Sequence, residues 1–151
     1  MQQIKKRELG VIPTMMNRMA RHMVNSTIGM QSMIREGLAP KGFHVPSDWE
    51  WTVLIDYLGG KQIAGFKMKS TTGWSYSGHG TNTSGFNGLP GGSRIEGGNF
   101  IGITDGGSWW SSSEESDGYA WNRNLDYYDE TMVNRNTFNN YDGLSVRCLR
   151  D

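Results

Sequence analysis

A chain of 151 residues suits one domain with at most an appendage. Its 15 basic and 15 acidic side chains cancel and form no long like-charge run, which argues against duplex nucleic acid or an anionic membrane surface as partner. Hydrophobic content is 36%, against 21 Gly and 6 Trp, a composition that suggests a loop-rich fold held by large aromatics. No apolar run approaches the ~18 residues of a membrane span. The start, MQQIKKRELGVIPTMM, carries basic residues with no apolar stretch behind them, so no signal peptide is read there and no membrane insertion is expected.

Residues 1–13 read as an irregular arm closed by Pro13. Thr14 is a suitable N-cap, and the pattern predicts a helix over 15–36, ended by Gly37. Met16, Met19, Met23, Met30 and Met33 fall at heptad a and d spacing, interrupted at Ser26. Two packings stay open: onto the helix's own domain, with methionine filling irregular gaps, or against copies of itself in a homo-oligomer, with a trimer as the leading number. Residues 41–46 read as a short strand entering a turn. Ser47-Asp-Trp-Glu50 is a capping box, with Trp51, Leu54, Ile55 and Leu58 as one buried helical stripe. Gly59-Gly60 supplies the stop. Asp48 and Glu50 lie in the first turn, where negative charge suits the helix dipole, so they are not read as catalytic.

Residues 61–70 read as a helical turn followed by a strand over 66–70. Residues 70–98 are rich in Gly, Ser, Thr and Asn, with Trp74, Phe86 and Leu89 as anchors. A segment this long inside a compact domain carries function or is a packed excursion. Strands follow over 99–104 and 108–113, joined by the turn signal Asp105-Gly-Gly. Further strands are expected near 119–126, 131–136 and 143–149.

The stretch from Trp109 to the end alternates. Trp121, Arg123 and Leu125 share one parity; Asn122, Asn124 and Asp126 share the other. Period two marks a strand with two different faces. Asn and Asp are poor strand formers, and Tyr with Asn, Ser and Asp is the composition of adaptable binding surfaces. The face expected to be displayed comprises Tyr119, Asn122, Asn124, Asp126, Tyr127, Tyr128, Asp129, Asn134, Asn136, Phe138, Asn139 and Tyr141. The expected core comprises Trp51, Leu54, Leu58, Trp110, Trp121, Leu125, Val146 and Leu149.

Little else carries chemistry. Cys148 is the single cysteine, so no intrachain disulfide can form, and it reads as a small buried hydrophobe. His22, His44 and His79 are scattered, without metal-ligand spacing. The serine run 111–113 has no Gly-x-Ser-x-Gly context. Nothing assembles a nucleophile, a base and an orienter, so a non-enzymatic protein without cofactor or metal is expected.

Several phrases resemble one known family. GLAPKGFHVPSDWEW from Gly37, KSTTGW from Lys69, GFNGLPGG from Gly85, WWSSSE from Trp109 and GLSVRCLRD from Gly143 look like the Fibrobacter succinogenes major paralogous domain. The match covers about 37–151, in the same order. The resemblance implies an α+β, C-type-lectin-like fold of small twisted antiparallel sheets, helices and long ordered loops, here with an N-terminal helix. It divides the chain into an arm and methionine-rich helix over 1–36 and a ligand-binding domain over 37–151. Members with Asn-rich C-termini look like variable proteins of diversity-generating retroelements, in which adenine-directed mutagenesis scatters Asn codons. On that resemblance 109–148 is the variable region, and the partner is a protein or glycan on a cell surface, met from a phage particle or another cell surface. Many members carry a Cys where Ala39 stands, so their disulfide to the Cys148 position is excluded here. The alternative is a structural particle or surface-assembly protein with no specific ligand.

Overall fold

The computed structural model describes residues 37–151 and the backbone of 20–24. In chain order the elements are β1 (Ala20–Val24), β2 (Phe43–His44), α1 (Asp48–Tyr57), α2 (Ala64–Met68), β3 (Gly91–Arg94), β4 (Phe100–Ile103), β5 (Gly106–Ser116), β6 (Tyr119–Asp126), β7 (Asn134–Asn139) and β8 (Val146–Arg150). The class is mixed α+β, mostly sheet.

Two sheets form. The smaller has the order β1-β8-β2, and the larger β4-β3-β5-β6-β7. Pairing is antiparallel except between β3 and β5. Bridges from Gly143 to Arg94 and from Ser145 to Trp109 tie the approach to β8 onto the larger sheet. The C-terminal strand is therefore central to one sheet and stitched to the other.

α1 forms as its sequence dictates. Ser47 Oγ accepts from the Glu50 amide, and the Glu50 carboxylate accepts from the Ser47 amide at 2.8 Å, so the box closes in both directions. At the far end Gly59 N–H donates to Asp56 O and Gly60 N–H to Ile55 O, with both glycines at positive φ. That is a Schellman stop, which a side chain at either position would strain. Trp51 is fully buried and meets Phe86 edge-on at 5.8 Å, and Phe86 meets Trp109 at 5.1 Å. The Trp51 indole donates to Trp110 O at 3.2 Å, which satisfies its one polar atom.

The core has two halves, one on each side of β5 and β6. Trp109 and Leu125 face α1, Met68 and Phe86; Trp110 and Ala120 face Leu144, Val146 and Cys148. Tryptophans adjacent in sequence thus enter opposite cores, as alternation along a strand requires.

Five expectations are corrected. Residues 20–24 pair with β8, so no continuous helix runs over 15–36; the rest of that expected helix, with Met16, Met19, Met30 and Met33, lies outside the described residues. In the strand expected at 66–70, residues 66–68 belong to helix α2, which closes with Lys69 N–H on Gly65 O, and Lys69 makes a single bridge to Gly88. β4 and β5 are consecutive but not paired, because β3 lies between them. The strand expected near 131–136 runs from Asn134 to Asn139, since 127–133 forms a loop. Trp121, expected in the core, is half-buried and lies under Arg135, whose guanidinium sits 3.2 Å from its ring centroid.

Candidate functional site

The hairpin of β6 and β7 carries most of the displayed face expected from the sequence, and the structure divides that face into three parts. Cross-strand pairs put Asn122 beside Trp110 and Asn136, and Asn124 beside Ser108 and Asn134. Asn122 is completely buried, with neither amide atom hydrogen-bonded, and the Trp110 indole N–H next to it is also without a partner. Asn122 is therefore removed from the displayed face. β6 lies inside the sheet and its second face is roofed by the β8 side of the core, so both of its parities are covered at mid-strand.

At the end where β6 finishes, a polar and aromatic corner forms. With the Asn124 amide nitrogen turned toward Asp126, it lies 3.2 Å from Oδ1, and the amide oxygen accepts from Ser108 Oγ at 2.9 Å. Asn134 Nδ2 approaches the same carboxylate at 3.4 Å. Burial raises the Asp126 pKa, with the Asp129 charge adding to the effect; the Asn134 hydrogen bond, the Lys69 charge and the neighbouring Tyr128 hydroxyl oppose it. The Asp126 and Asp129 charges raise the Tyr128 phenol, which stands in negative potential. Tyr127 packs against the core and carries Tyr128 edge-on at 5.5 Å and Tyr76 at 5.4 Å. Tyr128 and Tyr76 are 73% and 85% exposed, so two open ring faces flank the Asp126 network.

Tyr76 is missing from the face expected on sequence grounds. Its backbone lies at φ 52, a left-handed conformation uncommon for a side chain of this size. The turn is pinned by Ser75 N–H to Thr104 O at 2.8 Å and Gly78 N–H to Ser75 O at 3.1 Å. The signal available was a lone tyrosine inside a Gly/Ser run. Tertiary contact alone joins it to the hairpin.

Beneath the corner lies Lys69, fully buried as a residue. Its ammonium donates to Asp126 O and, at 3.0 Å, to Asp129 O, and it sits 4.8 Å from the Trp74 ring centroid. Burial lowers its pKa, and the charges of Asp126, Asp129 and Glu130 oppose that shift. Trp74 in turn donates to Ser70 Oγ at 3.1 Å and Gly88 O at 3.2 Å. The KSTTGW phrase is thus the floor of the corner. Gly78 and Gly80 let the chain close over it: a Cβ on Gly78 would lie 2.7 Å from Tyr127 Cα, and one on Gly80 2.5 Å from Lys69 Cβ.

The remaining residues lie at the opposite end. Tyr119 pairs with Asn139, and Tyr119 and Tyr141 are 46% and 70% exposed. Phe138 turns toward Trp110 at 6.5 Å and is partly buried. Seven residue steps separate Tyr119 from Asp126, about 23 Å at ~3.3 Å per residue. The expected face is therefore two surfaces.

Two charged clusters lie apart from both. Asp48 accepts from Arg123 Nη1 at 2.7 Å and from Arg135 Nε and Nη2 at 2.9 and 3.0 Å, which clamps α1 to the hairpin. Burial raises the Asp48 pKa, but hydrogen bonds and charge from the two arginines outweigh it and hold the carboxyl below its ordinary value. His44 sits between Asp151 (2.7 Å) and Glu50 (3.0 Å). Burial lowers its pKa, the carboxylate contacts reverse that, and the net shift is upward. Both ring nitrogens face carboxylates, and Ser47 Oγ donates to Glu50 rather than to His44, so the group is an ion-pair latch and not a serine–histidine pair. Among the described residues, no group of three His, Cys, Asp or Glu side chains is placed to hold a metal ion, and no helix is long and apolar enough to cross a membrane.

Neither the curated proteins nor the solved structures contain a match to this chain. Against family descriptions the result is definite: residues 16–150 match the Fibrobacter succinogenes major domain, from before β1 to the last residue of β8, and the chain belongs to that family.

Proposed function

We propose that this chain is a non-enzymatic ligand-binding protein, of receptor-binding or adhesin type, and that its binding surface is the corner built by Tyr76, Tyr127, Tyr128, Asp126, Asn124 and Asn134. The carrying observation is the pair of open tyrosine faces at Tyr76 and Tyr128, fixed on the half-buried Tyr127 over a hydrogen-bonded carboxylate. Tyrosine gives large contact area for few torsions, and neighbouring amides give adjustable hydrogen bonds. The scaffold is read as C-type-lectin-like, and the stretch 109–148 as the region a retroelement diversifies. The density of Asn along β6 and β7, in strands where Asn is unfavourable, supports that reading. The partner is a protein or glycan on a cell surface, met from a phage particle or another cell. Assembly into a homo-oligomer belongs to the same reading, because linked copies raise avidity without new contacts.

Two measurements test it. The DNA beside the gene should contain a near-repeat of the 109–148 coding stretch that differs at adenines. Purified protein should bind a subset of a panel of bacterial cells, and the double variant Tyr76→Ala/Tyr128→Ala should lose that binding with an unchanged melting temperature. Equal binding by the variant would place the surface elsewhere. No repeat and no binding would leave a structural particle protein.

A further inference from the structure

The loop between β6 and β7, residues 127–133, carries the exposed part of the corner, and its backbone restraints share one property. Lys69 Nζ donates to the carbonyls of Asp126 and Asp129. Tyr127 N–H donates to Asp105 O, Gly65 N–H to Thr131 O, and Val133 N–H to Lys61 O, each at 2.8 Å. Gly78 lies against the Tyr127 backbone. Each of these contacts holds a main-chain atom of the loop or of Asp126, the last residue of β6 before it. The loop's end side chains, Tyr127 and Val133, pack on the core, and between them Asp129 accepts from Met132 N–H at 3.2 Å.

We propose that Lys69 is the positioning residue of this surface: it fixes the loop's path through carbonyl oxygens that every residue type possesses, so that side chains at 128–132 can change while the backbone stays. This rests on reading the corner as a binding surface. The chemistry singles out lysine. An ammonium offers three donors in a compact head, and a fully buried one needs strong acceptors. Two carbonyls and the Trp74 ring supply them here. A guanidinium is planar and larger, and does not reproduce a compact three-donor head held between two carbonyls and the Trp74 ring. Asp126, Asp129 and Glu130 add attraction by charge, but their carboxylates make no hydrogen bond to Lys69 among the contacts described. The latch is therefore defined by the backbone and only tuned by the loop's sequence.

The test separates positioning from general stability. Hydrogen exchange is measured in the intact protein, in Lys69→Met, and in Lys69→Gln, which keeps a shorter donor should the methionine variant not fold. Loss of the two charge-assisted bonds should accelerate exchange at the 127–133 amides by about tenfold or more, with β5, β6 and α1 amides unchanged. Positions 128, 129 and 130 are then randomised together and displayed on yeast, with resistance to protease as the measure of folding. Most variants should survive when Lys69 is kept, and far fewer in the Lys69→Met or Lys69→Gln background. Equal survival with and without the lysine, or uniformly faster exchange across the domain, overturns the proposal. Neither readout involves a ligand, so failure to find one bears on the proposed function and leaves this result standing.

Discussion

The two ends of the β6–β7 hairpin have the same composition and different structures. Tyr, Asn and Asp crowd both. At the Asp126 end, side chains are bonded to one another and the loop is held from below by Lys69, Trp74, Gly78 and Gly80. At the Tyr119 end, the turn is closed by Asn140 N–H to Gly118 O at 2.8 Å and Tyr141 N–H to Asn139 Oδ1 at 3.0 Å, and no ring pairing among the described residues involves Tyr119 or Tyr141. The lesson is that composition nominates a binding surface, and preorganisation selects it. An ordered side chain loses less entropy on binding than a free one.

The scaffold common to both ends should be the most sensitive. Trp51→Ala removes a fully buried ring from the junction of α1, Phe86 and Trp110, and should lower unfolding free energy by about 3–5 kcal/mol in urea titration. A loss under about 1 kcal/mol would show that α1 is not the common support.

The α1 clamp comes next. Arg123 is 2% exposed at its side chain, and Asp48→Asn leaves its charge unpaired, which should cost about 3 kcal/mol. The folded-state pKa of Asp48 is depressed, so its contribution is present above the unfolded value near 3.8 and disappears as pH falls through the lower folded value. A wild-type-minus-variant difference that grows on acidification below pH 4 would contradict the clamp.

Asn122 marks the boundary between the two ends. Replacing it with leucine removes an unpaired buried amide for a side chain of similar shape, and should raise stability by about 1 kcal/mol in thermal melts. A loss instead would mean that the amide and the Trp110 indole share a hydrogen-bonded partner in solution.

His44 tests the β2–β8 edge, which contributes no residue to either surface. Its folded pKa is raised, so the latch to Glu50 and Asp151 is fully present below the unfolded value near 6.5 and is lost as pH rises through the folded value. The ring is 40% exposed, which limits the effect of His44→Gln to under about 1 kcal/mol at pH 5.5–6. A difference that increases above pH 8 would reverse the assignment. Smallest of all, Tyr128→Ala and Tyr141→Ala should each leave stability within about 0.5 kcal/mol. Only the first should weaken binding to the cells that the intact protein recognises. The opposite order would move the surface to the Tyr119 end.

Local chemistry determined a good deal by itself. The capping box and Gly59-Gly60 set both ends of α1 within a few residues, and the bounds of β6 follow from strict alternation, because these signals act over one turn or one strand. The phrases beginning at Lys69, Gly85 and Gly143 marked the family, and each proves to be packing machinery: the Lys69 floor, the Phe86 junction, and the central strand β8. Tertiary structure alone decided the rest. Alternation says that a strand has two faces and cannot say that both are covered, so Asn122 reads as displayed until the second sheet is placed over it. A heptad of methionines reads as a helix until 20–24 is paired along β8. The corner itself joins Tyr76, Ser108, Asp126 and Asn134, which alternation along one hairpin cannot bring together. A surface assembled across separate loops is fixed by the contacts that close the fold, and those contacts have no period along the chain.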